Sequence, residues 1–197
     1  MRAQPATSFN SVRMSAVVRY SALEQGRATM KLASIEAVVR ALSESHVPFI
    51  VVGGLAVVAH GYGRQTQDLD LVIQLQPQII HAAFRALASL GYHPRVPVTA
   101  DMIADAQTRA SWVRDRGMVV MAFHSESHTE TPVDVFASEP FDFATEHEQA
   151  MVVELAPGLP VRVVRLQALL RMKRQADRPQ DRADVAELSA LHGGSNV

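Results

Sequence analysis

Apolar residues recur with two periods along the chain, and the switching between those periods predicts most of its elements. Ile35, Val38, Val39 and Leu42 fall at i, i+3, i+4 and i+7, the stripe of a helix with one buried face. Ser34 stands where an N-cap is expected. Pro48 closes that helix, and 49–52 is a fully apolar run of the buried-strand type. Gly53-Gly54 follows, then a short helix over 55–60, broken by Gly61-Tyr62-Gly63. A second buried strand is predicted over 69–73. Pro77 opens a helix that runs to residue 90, with Ile80, Ala83, Phe84 and Leu87 on one face and Gly91 at C′.

Downstream the pattern loosens. Residues 99–116 are polar and tolerate helix. Residues 118–123 are apolar and β-rich, 132–136 alternate like a strand, and 141–149 suit a short helix. Strands over 152–155 and 161–164 flank a turn at Pro157-Gly158. Leu166, Leu169 and Leu170 open a helix, and Val185, Leu188 and Leu191 mark a last one. Nothing periodic precedes Met30, so 1–29 is read as a disordered extension and 30–192 as one domain. Strands mixed with helices in this order predict an α/β (α+β) fold: a small mixed sheet flanked by helices, with a helical C-terminal cap.

Composition narrows the chemistry. The 197 residues are 48% apolar and 20% charged, the balance of an ordinary globular chain and far from that of a disordered one. The formal net charge is −1, so any contact with nucleic acid rests on a local patch. No cysteine is present, which excludes disulfides, thiolate-held metal and a thiol nucleophile, and fits a cytoplasmic setting. The longest uncharged stretch, 47–63, holds a proline and four glycines and is too short and too broken for a membrane span. Charge is uneven: 162–182 carries seven basic residues against two acids, whereas 126–148 carries seven acids and no Lys or Arg. Solvated faces account for such runs as readily as a wall that meets phosphate does.

The chemistry concentrates in 51–73, VVGGLAVVAHGYGRQTQDLDLVI. A strand, two glycines and a helix bring backbone N–H groups close to a phosphate, although a tight strand–helix turn explains the glycines equally well. Asp68 and Asp70 lie two apart in a strand pattern and so share one face, while Leu69, Leu71 and Ile73 bury the other. Paired carboxylates repel unless a cation lies between them, and Mg²⁺ takes one or two carboxylates plus substrate phosphates. Asp134 sits in a third apolar strand, on the face opposite Val133 and Val135. Were that strand to pair beside the one bearing Asp70, three carboxylates would converge, the geometry of two-metal phosphoryl or nucleotidyl transfer.

Gly53-Gly54, then Arg64-x-Thr66-x-Asp68-x-Asp70, then a distant Val-Asp134-Val, resembles the nucleotidyltransferases of the DNA polymerase beta superfamily. The pattern is closest to small bacterial nucleotidyltransferases related to the abortive-infection toxins of type IV toxin–antitoxin systems. Lys173, Arg178, Asp181 and Asp184 stand in the places of that group's C-terminal signature, with Gln180 where it usually has lysine. The resemblance covers about residues 31–192. It implies Mg²⁺-dependent transfer of a nucleoside monophosphate from an NTP to an acceptor: RNA, protein or a small molecule. Asp68 and Asp70 would hold two metal ions. Asp134 would complete the metal site or act as base. Lys173 would neutralise phosphate charge. Gly53, Gly54, Arg64, Thr66, Arg178, Asp181 and Asp184 would form the nucleotide site. An antitoxin protein is an implied partner; a membrane is not.

The physics of the second motif agrees with an inward direction. Lys173 continues the Leu166, Leu169, Leu170 stripe at i+7, and Asp181 and Asp184 share a face with Val185 and Leu188. Arg174, about 100° round the helix, is expected in solvent. Of the eight histidines none forms a metal-ligand spacing, and His60 and Trp112 read as packing residues. Two rivals remain at this level. One is a non-catalytic partner-binding module on an inactive copy of the fold. The other is a small-molecule nucleotidyltransferase of aminoglycoside type.

Overall fold

The computed structural model describes residues 30–193; the extension expected over 1–29 lies outside the described residues. Its elements are α1 (Leu32–Glu44), β1 (Phe49–Val51), α2 (Gly53–Ala59), β2 (Leu69–Ile73), α3 (Pro77–Ser89), β3 (Tyr92–Pro94), α4 (Ala100–Ala104), α5 (Ala106–Arg116), β4 (Val120–Ser125), β5 (Val133–Phe136), α6 (Phe143–Gln149), β6 (Met151–Ala156), β7 (Leu159–Val163), α7 (Leu166–Ala176) and α8 (Pro179–His192). The seven strands form one mixed sheet in the order β3-β4-β5-β2-β1-β7-β6. Two pairings are parallel, β1 with β7 and β2 with β5; the rest are antiparallel.

Alternation along the strands sorts the sheet into two faces. Leu69, Leu71, Val133, Val135, Met121 and Phe123 bury one of them. The Phe84 ring of α3 meets Phe123 edge-on there, with centroids 5.1 Å apart. Asp70, Asp134 and Ala122 lie in one cross-strand row on the other face. At the β1 and β2 end that second face is also buried, through Ile50 and Val72. Its β3–β4 end is open, and His93, Arg95 and His124 are exposed there. No helix among the described residues is long and apolar enough to cross a membrane.

Several boundaries depart from the sequence pattern. Ser34 is not an N-cap: α1 starts at Leu32, and the buried Ser34 hydroxyl instead meets His128 Nδ1 at 2.8 Å. A partner distant in sequence has outbid a local cap. The α2 helix begins two residues early, at Gly53, whose left-handed backbone turns the chain out of β1 and into the helix. Residues 99–116 form two short helices whose N-caps, Thr99 and Asp105, accept from the N–H groups of Met102 and Thr108. Strand β3 gave no periodic signal. It has three residues, ends in Pro94 and lies at the sheet edge, where proline is tolerated.

Candidate active site

The parallel ladder between β2 and β5 sets Asp70 directly opposite Asp134. Two carboxylates fixed side by side on a half-buried face lose solvation and repel each other. Burial, then the charges of Asp134 and Asp68, push the Asp70 carboxyl up to about 6; Lys173 works against that rise. Asp134 is likewise raised to about 6, by burial and by Asp68, with Arg95 opposing. The pair therefore holds protons well above the ordinary carboxylate range, the behaviour of an anion cluster short of positive charge.

The two glycines are there to make room. Val52 N–H continues the ladder to the Asp70 carbonyl at 3.0 Å, so the chain enters α2 alongside the Asp70 side chain. Gly53 has φ +61°, and a Cβ on it would lie 1.9 Å from Asp70 Oδ2. Gly54 donates its N–H to the same oxygen at 3.4 Å, and a Cβ there would lie 2.1 Å from Thr66 Oγ1. Gly53→Ala should therefore both strain the turn and displace Asp70. The left-handed conformation alone costs about 1–2 kcal/mol, which lowers Tm by roughly 2–8 °C in a chain of this size. Thermal melting checks that, and an unchanged Tm would mean that the turn is not held as described.

Behind Asp70 lies a buried ion network built by α7 and α8. Lys173 Nζ reaches Asp181 at 2.9 Å and Asp184 at 2.7 Å, with all three side chains almost fully buried. Arg64, in the loop before β2, donates to both oxygens of Asp184 at 2.7 and 2.9 Å. Gln180 adds a third donor to Asp184 at 3.1 Å, so it keeps a contact without the charge of a lysine. Arg178, mostly exposed, donates to Asp181 at 2.6 Å. Burial alone would raise both aspartates; hydrogen bonds from Arg178 and Lys173 to Asp181, and from Arg64, Lys173 and Gln180 to Asp184, outweigh it and hold both below the usual range. The Arg178 guanidinium is held above its ordinary value, first by Asp181 and more weakly by Asp70 and Asp184.

The structure thus gathers the residues singled out in the sequence into two groups that touch. Asp70 and Asp134 form the acidic row; Asp68, expected on the same strand, lies just before β2 and acts on both as a neighbouring charge. Lys173, Arg178, Arg64, Asp181 and Asp184 form a network beside it, with Gly53, Gly54 and Thr66 filling the space between. Within the second group Asp181 and Asp184 bind cations of the chain, so they position Lys173, Arg64 and Arg178. Among the described residues no group of three or more His, Asp or Glu side chains closes into a metal cage. Mg²⁺ needs no such cage, since substrate phosphates complete its shell, and the paired Asp70 and Asp134 suit that donor set. Arg95 beside Asp134 escaped the sequence analysis, because the strand leading to it carries no pattern. His60 proves to be a packing residue whose Nε2 meets the Val164 carbonyl at 2.8 Å. Trp112 is buried, with Arg116 over its ring.

No protein-family model matches the sequence, and no curated protein matches it. Solved structures do resemble the fold. The antibiotic-resistance factor ANT(2'')-Ia is similar with a TM-score of 0.54 and 16% identity, over 83% of this chain and 84% of that one. An antigenic nucleotidyltransferase-like protein from Paracoccidioides brasiliensis gives a TM-score of 0.44 and 15% identity, over 83% of this chain and 78% of that one. At such identities the likeness to the first is one of fold alone, carried in this chain by a seven-stranded mixed sheet with helices.

Proposed function

We propose that this protein transfers a nucleoside monophosphate from an NTP to an acceptor hydroxyl. The observation that carries the reading is the register of Asp70 against Asp134 beneath Gly53, with Lys173 and Arg178 close enough for their charges to couple to Asp70. An acidic row beside a cationic network is the division of labour that phosphoryl-type transfer needs. Asp68, Asp70 and Asp134 would hold Mg²⁺, which supplies charge neutralisation at the triphosphate and activation of the acceptor oxygen. The acceptor oxygen bonds to the α-phosphorus, the bond from that phosphorus to pyrophosphate breaks, and the hydroxyl proton passes to Asp134. Asp134, directly opposite Asp70, is placed either to complete the metal site or to take that proton. Arg178, at the mouth, meets the outgoing pyrophosphate charge. The buried Lys173 sets the potential behind Asp70.

Purified protein with labelled NTPs, Mg²⁺ and, separately, total cellular RNA, the protein alone, or an aminoglycoside tests this. Label should move to an acceptor and should be lost on chelation. If no acceptor is labelled and NTP with Mg²⁺ leaves Tm unchanged, the reading fails.

Protonation gives a second expectation. Protons compete with metal for Asp70 and Asp134, so apparent Mg²⁺ affinity should fall with pH below 6, by about tenfold per unit where one proton is displaced and up to about a hundredfold where both are. Metal-free stability runs the other way. Both carboxyls bind more protons folded than unfolded between the ordinary value, 3.8, and about 6. Through them stability rises as pH falls across that window, and the destabilisation is complete above it. Melting curves with and without Mg²⁺ from pH 5 to 7.5 would show the two trends crossing. Parallel trends would show that the acidic row does not hold the metal.

A further inference from the structure

Helix α3 carries two stripes. Ile80, Ala83 and Leu87 form the buried one, packed on the sheet. His81, Phe84, Arg85 and Ala88, at i, i+3, i+4 and i+7, form a second stripe beside it, and these four line a space at the edge of the sheet. Strand β3 is too short to close that space, since it has three residues and ends at Pro94. A cavity of about 300 Å³ remains between α3, β3 and the loop leading into α4, a volume at the small end of those that hold small molecules. Phe84, Phe123, Pro94 and Val98 make its apolar wall. It lies behind the sheet, because alternation puts Phe123 on the face opposite Ala122 and the acidic row. Its occupant is therefore no reactant of the transfer proposed above.

Charge selects that occupant. Arg85 is exposed at the rim, and among the described residues no carboxylate pairs with it. His81, one turn earlier, is already engaged, its Nε2 3.4 Å from an oxygen of Asp101. The cavity thus offers one unspent guanidinium above an apolar floor. A guanidinium fork matches the two oxygens of one carboxylate, and the Asp101 charge beside His81 works against a dianion such as a phosphate ester. A peptide strand fits poorly. Arg95 donates its N–H to the Ala122 carbonyl at 2.8 Å, so β3 turns His93 and Arg95 toward β4 and leaves Tyr92 and Pro94 facing outward, and Pro94 has no N–H to give. We propose that this cavity binds a small aromatic monocarboxylate, its carboxylate held by Arg85 and its ring packed against Phe84, Phe123, Pro94 and Val98. The small side chain of Ala88, one turn beyond Phe84, leaves the width for a flat ring.

Fluorescence titration of naphthalene-2-carboxylate with the full chain tests this, with 2-naphthylmethanol as its uncharged counterpart. Wild type should bind the carboxylate saturably, one per chain, and roughly tenfold or more tightly than the alcohol, the range for a hydrogen-bonded charge. Arg85→Gln should remove that preference and leave the affinity for the alcohol unchanged. Ala88→Trp, at an exposed helix position, should block both probes with little change in Tm. Arg40→Gln, exposed on α1, should match wild type. No saturable binding below about 1 mM would overturn the proposal. So would equal affinity for the two probes, or equal effects of Arg85→Gln and Arg40→Gln. An Ala88→Trp protein that keeps its Tm and binds the carboxylate like wild type would place the probe elsewhere and overturn it too. The cavity and the acidic row lie on opposite faces, so each of these failures leaves the transfer reading standing.

Discussion

Asp70→Asn should give a protein that melts higher and transfers at a small fraction of the wild-type rate. The carboxyl sits on the sheet with Asp134 opposite it and the Gly53 turn against it, and its proton affinity is raised to about 6. Each unit of that rise is about 1.4 kcal/mol of strain in the ionised form at neutral pH, so relieving it should stabilise the metal-free protein by about 1–3 kcal/mol. Asparagine keeps an oxygen for the Gly54 N–H, so the turn survives. Transfer should fall by about 10²–10³-fold or more, the range for losing one preorganised charge at a reacting centre. The two readouts move in opposite directions, and that contrast is the check. A variant that loses activity by unfolding would melt lower. One that keeps wild-type transfer would show that Asp70 is an ordinary buried acid. The same substitution should also abolish the Mg²⁺-induced rise in Tm above pH 6.

How far the sequence reaches is visible in the same residues. The strand bearing Asp70 was legible because an apolar run over 69–73 admits one acid, and such a run is a local property; Asp68, read as sharing that strand, lies just before it. The pairing of Asp70 with Asp134 was not, because 64 residues separate them and only the sheet order brings β2 beside β5. Gly53 and Gly54 read as a phosphate-approach turn. Their immediate physical reason is the space claimed by Asp70 and Thr66, a contact that no spacing encodes. The stripe through Leu166, Leu169 and Leu170 set the direction of Lys173, and burial agrees with it, with Arg174 exposed on the next position. The partners of Lys173 depended on how α8 folds back over α7 after Arg178. Arg95 was invisible, since a three-residue edge strand ending in proline has too few positions to show a period.

Lys173→Met should be the most destabilising single change at the site, and the reason lies in what it leaves behind. The ammonium bridges Asp181 and Asp184, which are almost wholly buried. Arg64 still holds Asp184 and Arg178 still holds Asp181, but neither replaces the charge between the two carboxylates. Removing one partner from a buried ion cluster costs about 3–5 kcal/mol. At roughly 2–4 °C per kcal/mol for a chain of this size, Tm should fall by roughly 6–20 °C. Arg174→Ala, one residue on and in solvent, should stay within about 0.5 kcal/mol of wild type. Lys173→Met combined with Asp184→Asn should recover part of the loss, because the second change removes one stranded charge and leaves Arg64 a neutral acceptor. That non-additivity is the signature of a shared network. Under the proposed transfer, Lys173 would lower the cost of ionising Asp70 from behind and hold α8 in place, having no exposed tip to reach a phosphate. Nucleotide affinity measured well below the variant's Tm should therefore change less than stability does. A Lys173→Met protein that melts like wild type yet binds NTP far more weakly would reverse that assignment and put the ammonium on the substrate.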